Sequence, residues 1–359
     1  VESRGLGDVY KRQGGHRLKV LAGSTLETYN NNTVRTETQN FPSLNLGVNG
    51  LGMGVTPQIP TSSIVEWNMV SFLARAEYNY KERYLLTASY RADGSSRFGA
   101  GNKWAGFPSV GLAWRINEES FVKDLGVFYN LKLRFGYGRS GNTAIPSYRS
   151  LSTIASSFYP MYGSDLSYGA SIDRPANPSL RWETTDMVNL GLDMSFFKNS
   201  LDVSMDFYVK KTSDMLLNMP IPSFGAFPNS PFFNAGDLKN TGFEIVVNYR
   251  NQIGKDFNYN VGLNMSTYKT EVTKLTSEYL SGNTSRTYVG GPIGRFWGYK
   301  QIGIFQNQEE IDNYVDKNGT KIQPNAQPGD FKFAKLGESG ELNDDDCLLY
   351  TSDAADDKA

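Results

Sequence analysis

The residues of this 359-residue chain that could do chemistry are aromatic rings and hydroxyls more than nucleophiles. There is a single histidine, His16, and a single cysteine, Cys347. No HExxH, GxSxG or phosphate-loop pattern occurs. The 37 carboxylates are plentiful, but a glycosidase pair is defined by its separation in space, which a sequence does not give. His16, near the start of a strand, reads as a rim or wall residue. The chain is therefore read as a non-enzyme, with no catalytic residue, bound metal or cofactor. What remains is recognition chemistry. Tyr148, Phe158, Tyr159, Tyr162 and Tyr168 are set among Ser, Gly and Asn, and Phe224, Phe227, Phe232 and Phe233 lie among Pro and Gly. Such rings could stack on sugar rings, or they could pack against a partner or one another.

The elements that hold these rings are strands. Between 184 and 270 four segments alternate strictly. In one of them Val188, Leu190, Leu192, Met194 and Phe196 alternate with Asn189, Gly191, Asp193 and Ser195. The other three centre on Val203–Phe207, Ile245–Val247 and Val261–Leu263. Successive strand side chains point to opposite faces, so each segment has an apolar wall and a wet one. About ten residues per strand is also the length that crosses a bilayer at a tilt. Five more strands fit at roughly 16–28, 67–80, 83–93, 106–115 and 129–139.

The connections between them alternate in length. Short turns fall at 80–83, 198–200 and 251–255, with a middling one at 116–128. Long connections fall at 29–66, 94–105, 140–181, 213–239 and after 270. Sorted loops of this kind predict an all-β, antiparallel, up-and-down transmembrane barrel wall with one plain rim and one elaborated rim. The site rings all lie on the elaborated, external side. Tyr78, Tyr80 and Tyr84, then Phe196 and Phe197, then Tyr249, Phe257 and Tyr259 flank the short turns, as a periplasmic aromatic girdle would. Trp67, Tyr90 and Trp182 are candidates for the outer girdle.

Composition agrees with this and excludes other classes. The chain is 39% hydrophobic, with 21 Tyr and 21 Phe, yet its mean hydropathy is −0.44. No apolar run approaches the roughly 18 residues of a membrane helix, whereas a barrel strand shows lipid only every second residue. A net charge of −1 gives no support for nucleic-acid binding.

Particular motifs add a family resemblance. The run Arg83-Tyr-Leu-Leu-Thr-Ala-Ser-Tyr-Arg-Ala-Asp-Gly-Ser-Ser-Arg-Phe-Gly99 resembles the hallmark strand and loop of SusC/RagA-type TonB-dependent outer-membrane transporters. Segments 107–121, 131–142, 177–185 (Asn-Pro-Ser-Leu-Arg-Trp-Glu-Thr-Thr) and 291–305 continue the resemblance in the family's order. The resemblance implies a 22-stranded barrel with a plug, of which about nine strands are present here. It further implies a SusD-like surface lipoprotein partner and energy delivered by the TonB–ExbB–ExbD complex. The expected role is import of large nutrients, glycans or peptides, across the outer membrane of a Gram-negative bacterium. A passive porin-like channel and a soluble β-rich carbohydrate-binding domain are the alternatives. Within Asp93-Gly-Ser-Ser-Arg-Phe98 the small residues should turn the chain while Arg97 ties loop carbonyls or carboxylates.

Two further segments carry expectations. Residues 327–346 resemble a loop that in many relatives reads as a calcium-binding element, which needs oxygen ligands at its first, third and fifth positions. Lys335, Gly337 and Ser339 stand there, so no bound metal is expected. Both chain ends resemble translated sequencing-adapter DNA, at 3–13 and 347–356. The expected division is thus 1–13 adapter, 14–346 barrel fragment truncated at both ends, and 347–359 adapter, which would leave the natural stretch without a thiol.

Overall fold

The computed structural model describes residues 2–43, 45, 47–160, 166–219, 229–282, 284–338 and 340–349. Its main feature is one antiparallel sheet of ten strands that neighbour each other in chain order. They are β1 (Glu2–Gln13), β2 (His16–Arg35), β3 (Thr61–Tyr80), β4 (Tyr84–Ser95) and β5 (Trp104–Arg115). Then come β6 (Phe128–Asn142), β7 (Glu183–Phe196), β8 (Leu201–Ser213), β9 (Gly236–Ile253) and β10 (Phe257–Leu275). Nine of these are the expected strands. The tenth, β1, lies in the adapter-like segment and pairs with β2 from Gln13↔His16 outward. An open edge offers its N–H and C=O groups to any extended backbone, so this pairing demands no particular sequence.

Register keeps the two walls separate. Val188, Leu190, Leu192 and Met194 pair with Val209, Phe207, Met205 and Val203 on one side, while Asn189, Gly191 and Asp193 pair with Tyr208, Asp206 and Ser204. Across the other edge of β7, Leu190, Leu192 and Met194 meet Phe135, Leu133 and Leu131, while Gly191 and Asp193 meet Arg134 and Lys132. A slip of one residue would exchange the faces on every strand. Among the described residues nothing covers the apolar wall: Leu190 is 50%, Phe207 49% and Leu263 62% exposed. Such a continuous apolar face demands an apolar solvent.

The short turns are built by residues in the left-handed region. Lys81 (φ 51°) and Glu82 (φ 57°) form the β3–β4 turn, closed by Arg83 N–H to Tyr80 C=O at 3.0 Å. Asn79 Oδ1 accepts from Glu82 N–H at 2.8 Å, which offsets part of the cost of non-glycine residues there. Positive φ at both central residues matches the right-handed twist of the flanking strands. The middling connection is partly helical, with a short helix at Ser120–Lys123.

Two expectations are corrected. The strands at the long-loop end are longer than the alternation indicated. β2 and β3 stay paired out to Arg35↔Thr61, through Asn30-Asn-Asn and Thr61-Ser-Ser. The ladder continues where the apolar beat has stopped, because backbone pairing does not require a lipid-facing side chain. The stretch after 270 is folded rather than a bare connection. It dominates a second compact unit, residues 236–240 and 268–359, beside a first of 1–235 and 241–267. The second unit has a sheet ordered Tyr279–Ser281, Ser285–Tyr288, Arg295–Tyr299, Cys347–Leu349, a hairpin of Gln301–Ile304 with Phe331–Phe333, and a helix Gln308–Asp312. Val272, Phe305, Ile311 and Ile322 are buried in it.

Candidate functional site

A conventional hydrophobic core in the first unit sits at the roots of the long loops. Phe98, Phe107, Ile145, Leu180 and Trp182 form it, with Met69, Leu216 and Phe232 packed alongside. The resemblance motifs meet here. Phe98 of the Asp93–Phe98 run lies 5.1 Å from the Trp182 ring, and Phe107 meets the same ring edge-on at 5.3 Å. Trp182 Nε1 donates to Lys103 C=O at 2.9 Å, which satisfies its buried N–H. Gly99 has to be glycine, since a Cβ there would stand 2.2 Å from Pro178 C=O. Asn177 Nδ2 donates to Phe232 C=O at 2.7 Å, joining a third loop. Arg97 does tie the loops together: its Nη1 donates to Thr143 C=O at 2.7 Å and its guanidinium lies 4.3 Å above Trp67. Burial pushes the Arg97 pKa down, and Glu27 partly opposes the shift.

Of the expected site rings, Tyr148, Phe232 and Phe233 are the ones whose side chains are described. Tyr148 is 41% exposed, with φ 65°. Its hydroxyl accepts from Glu66 N–H at 2.9 Å, and its carbonyl accepts from Arg174 Nη2 at 3.2 Å. Tyr148 therefore braces the loop root and still offers a ring face. Thr153–Pro160 and Leu166–Arg174 form a hairpin in which Phe158 pairs with Tyr168 and Tyr159 with Ser167. The side chains of Phe158, Tyr159 and Tyr168 lie outside the described residues, as do Tyr162, Phe224 and Phe227 altogether. Phe232 is half-buried against the core and Phe233 is exposed.

Charged groups that sequence reasoning did not single out organise the polar wall. Arg134 on β6 reaches Asp193 on β7 through Nε at 2.8 Å and Nη2 at 2.9 Å, and Asp206 on β8 through Nη2 at 2.9 Å. Ser204 Oγ donates to Asp193 at 2.8 Å. Gly191 makes room for this three-strand network, because a Cβ would lie 2.6 Å from the guanidinium. The register would have exposed the network, but alternation fixes faces and not which residues stand opposite.

At the short-turn end the aromatic girdle is present. His16 lies 4.6 Å from Tyr80, Tyr80 6.4 Å from Tyr84 and Tyr84 6.3 Å from Trp114. Phe128 and Phe197 flank Phe196, and Phe257 with Tyr249 flanks Tyr259. His16 Nδ1 is 2.7 Å from Tyr78 Oη, so the histidine stands within the girdle. Glu119, in the connection that follows β5, accepts from Tyr84 Oη, Trp114 Nε1 and Arg83 Nη1. These bonds, Tyr84's first, hold its pKa below the ordinary carboxylate value.

In the second unit, Asp346 is fully buried. It accepts from Lys335 Nζ at 2.7 Å and from the N–H groups of Leu336 (2.8 Å), Gly337 (2.7 Å) and Asn343 (3.0 Å). Burial alone would raise its pKa; the lysine and the three N–H groups outweigh that and hold it at about 2. These residues do not fit a cation, because an ammonium and backbone donors already saturate the carboxylate. No group of three or more His, Cys, Asp or Glu able to hold a metal ion is found among the described residues.

A ten-stranded antiparallel sheet, greasy on one face, charged on the other and elaborated at one rim, defines a membrane β-barrel wall. The chain belongs to the TonB dependent receptor-like β-barrel family, whose profile matches residues 4–332, and within it to the SusC/RagA type. It is 32% identical to TonB-dependent receptor P3 of Formosa agariphila over 93% of this chain and 34% of that protein. It is 34% identical to TonB-dependent receptor SusC of Bacteroides thetaiotaomicron over 70% of this chain and 27% of that one. Two solved structures of the RagAB peptide transporter superpose with TM-scores of 0.75 and 0.77, at 28% and 25% identity. They cover 83% and 96% of this chain and 33% and 37% of theirs. The chain thus spans about a quarter to a third of the length of the relatives it matches.

Proposed function

We propose that the protein to which this wall belongs is an outer-membrane importer that draws large nutrients, glycans or peptides, through its barrel using energy from TonB–ExbB–ExbD. The uncovered apolar wall supports the membrane setting, and the braced loop roots support capture on the outer side. A SusD-like surface lipoprotein is the proposed partner, and outer-membrane lipid the surrounding medium. The peptide transporter named in the structural matches favours keeping peptides beside glycans as candidate substrates. The exposed rings, Tyr148 first, are proposed contacts for substrate or lipoprotein, with Phe158, Tyr159, Tyr162, Tyr168, Phe224 and Phe227. The proposed role is transport without catalysis. Reading 1–13 and 347–359 as adapter translation is likewise a proposal, tested by sequencing the source gene.

Uptake of fluorescently labelled oligosaccharides and oligopeptides, compared in cells with and without TonB, tests the energised reading. We expect uptake of one class to depend on TonB. Equal uptake in both strains would favour a passive pore, and recovery of the protein in the soluble fraction would favour a soluble domain.

A further inference from the structure

The root of the loop between β6 and β7 carries hydrogen-bond donors, two of them on cations, that have no partner among the described residues. Arg174, at the base of the hairpin, is only 4% exposed. Its Nη2 is spent on Tyr148 C=O, but its Nε has no acceptor. Arg149, one residue along from that carbonyl, likewise has a buried Nε without a partner, as does Ser147 Oγ. The Arg149 guanidinium rests 5.6 Å from the Phe232 ring and makes no ion pair among the described residues. The carboxylate closest in sequence, Asp173, is already occupied by Thr153 Oγ1 at 3.1 Å and Asn229 Nδ2 at 2.5 Å. The Arg174 pKa is pushed down, first by burial and then by Arg149, and Asp173 opposes that shift only in part.

Buried unpaired donors on charged groups are costly, and proteins rarely keep several together without use. Ser147 and Arg149 lie two residues apart, and Arg174 is brought to the same segment by its bond to the Tyr148 carbonyl; a planar carboxylate accepts from such guanidinium forks. We propose that Arg149, Arg174 and Ser147 form a subsite for a carboxylate carried by the ligand, either the C-terminus of a peptide or a uronic acid of a glycan. The inference rests on the importer reading and adds the charge of the cargo to it. Tyr148, whose carbonyl orients Arg174, then acts as a positioning residue with its ring beside the bound anion.

Calorimetric titration of the intact outer-membrane protein in detergent tests this with two matched pairs: tetra-alanine against its C-terminal amide, and tri-galacturonate against maltotriose. One anionic probe should bind at least about tenfold tighter than its neutral partner, the size expected of a charge-assisted hydrogen bond, and the responding pair identifies the source. Arg149→Gln should erase the preference while Arg149→Lys keeps part of it. The Arg149 variants are chosen because this side chain is only half-buried, and retained heat-modifiable migration verifies their fold. Equal affinity within both pairs, including no measurable binding of any probe, overturns the subsite, as does a preference that survives Arg149→Gln. TonB-dependent uptake is scored separately, so a failed subsite leaves the importer reading standing and a failed importer reading is seen in uptake alone.

Discussion

Individual residues in this wall are constrained by what they would strike or strand. Gly99 and Gly111 illustrate the contrast. A methyl at Gly99 meets the Pro178 carbonyl at 2.2 Å, whereas nothing lies within 4 Å of one at Gly111. Gly99→Ala should cost about 1–3 kcal/mol, as overpacking against backbone does, and Gly111→Ala should be near neutral; urea unfolding midpoints of the folded barrel read both. Asp346 carries a pH dependence of known sign. Its folded pKa of about 2 lies below the roughly 3.9 of a free aspartate. Its contribution is therefore fully present above about pH 4 and lost as pH falls toward 2. Hydrogen exchange at the Gly337 amide should accelerate through that window, and Asp346→Asn should abolish the dependence. Little of this residue-scale detail was legible beforehand. Lys335 was recognised as opposing a cation, but its ion pair with Asp346 depends on how the loop folds back.

At the scale of elements, alternation was a sound guide wherever strands face lipid. All nine strands it indicated exist, with the pairing Leu190↔Phe207 placing apolar residues on one face. It fell short where the strands leave the bilayer, since Asn30-Asn-Asn is extended by pairing alone. It also gave no sign of the second unit, whose strands of three to five residues are too short to show a period. The site was legible in part. The motifs 93–98 and 177–185 stood out as residues, but their meeting at the Phe98–Trp182 contact is a long-range fact. That contact packs the loop roots onto the outer ends of the wall strands, through Phe107 and Met69. Trp182→Ala should remove about 3–5 kcal/mol of packing and loosen the external loops while the lipid-facing strands persist. Limited proteolysis should then cut within 140–181 more readily, with heat-modifiable migration unchanged; loss of that migration would show that the wall depends on the same core.

For the whole molecule, the central claim is that the apolar face meets lipid and the charged face does not. A soluble sheet would cover Leu190, Phe207 and Leu263, yet each is about half exposed or more. The polar face is occupied by the Arg134–Asp193–Asp206 network, a poor lipid surface and a good lining for a wet or plugged interior. Nitroxide accessibility in bilayers tests this most directly, with labels on single cysteines introduced by Leu190→Cys, Leu263→Cys, Asn189→Cys and Asn264→Cys in the intact protein. We predict that Leu190 and Leu263 labels are reached by oxygen and shielded from a water-soluble nickel chelate, with the reverse at Asn189 and Asn264. Equal accessibility at adjacent positions, or nickel access at Leu190 and Leu263, would contradict the account.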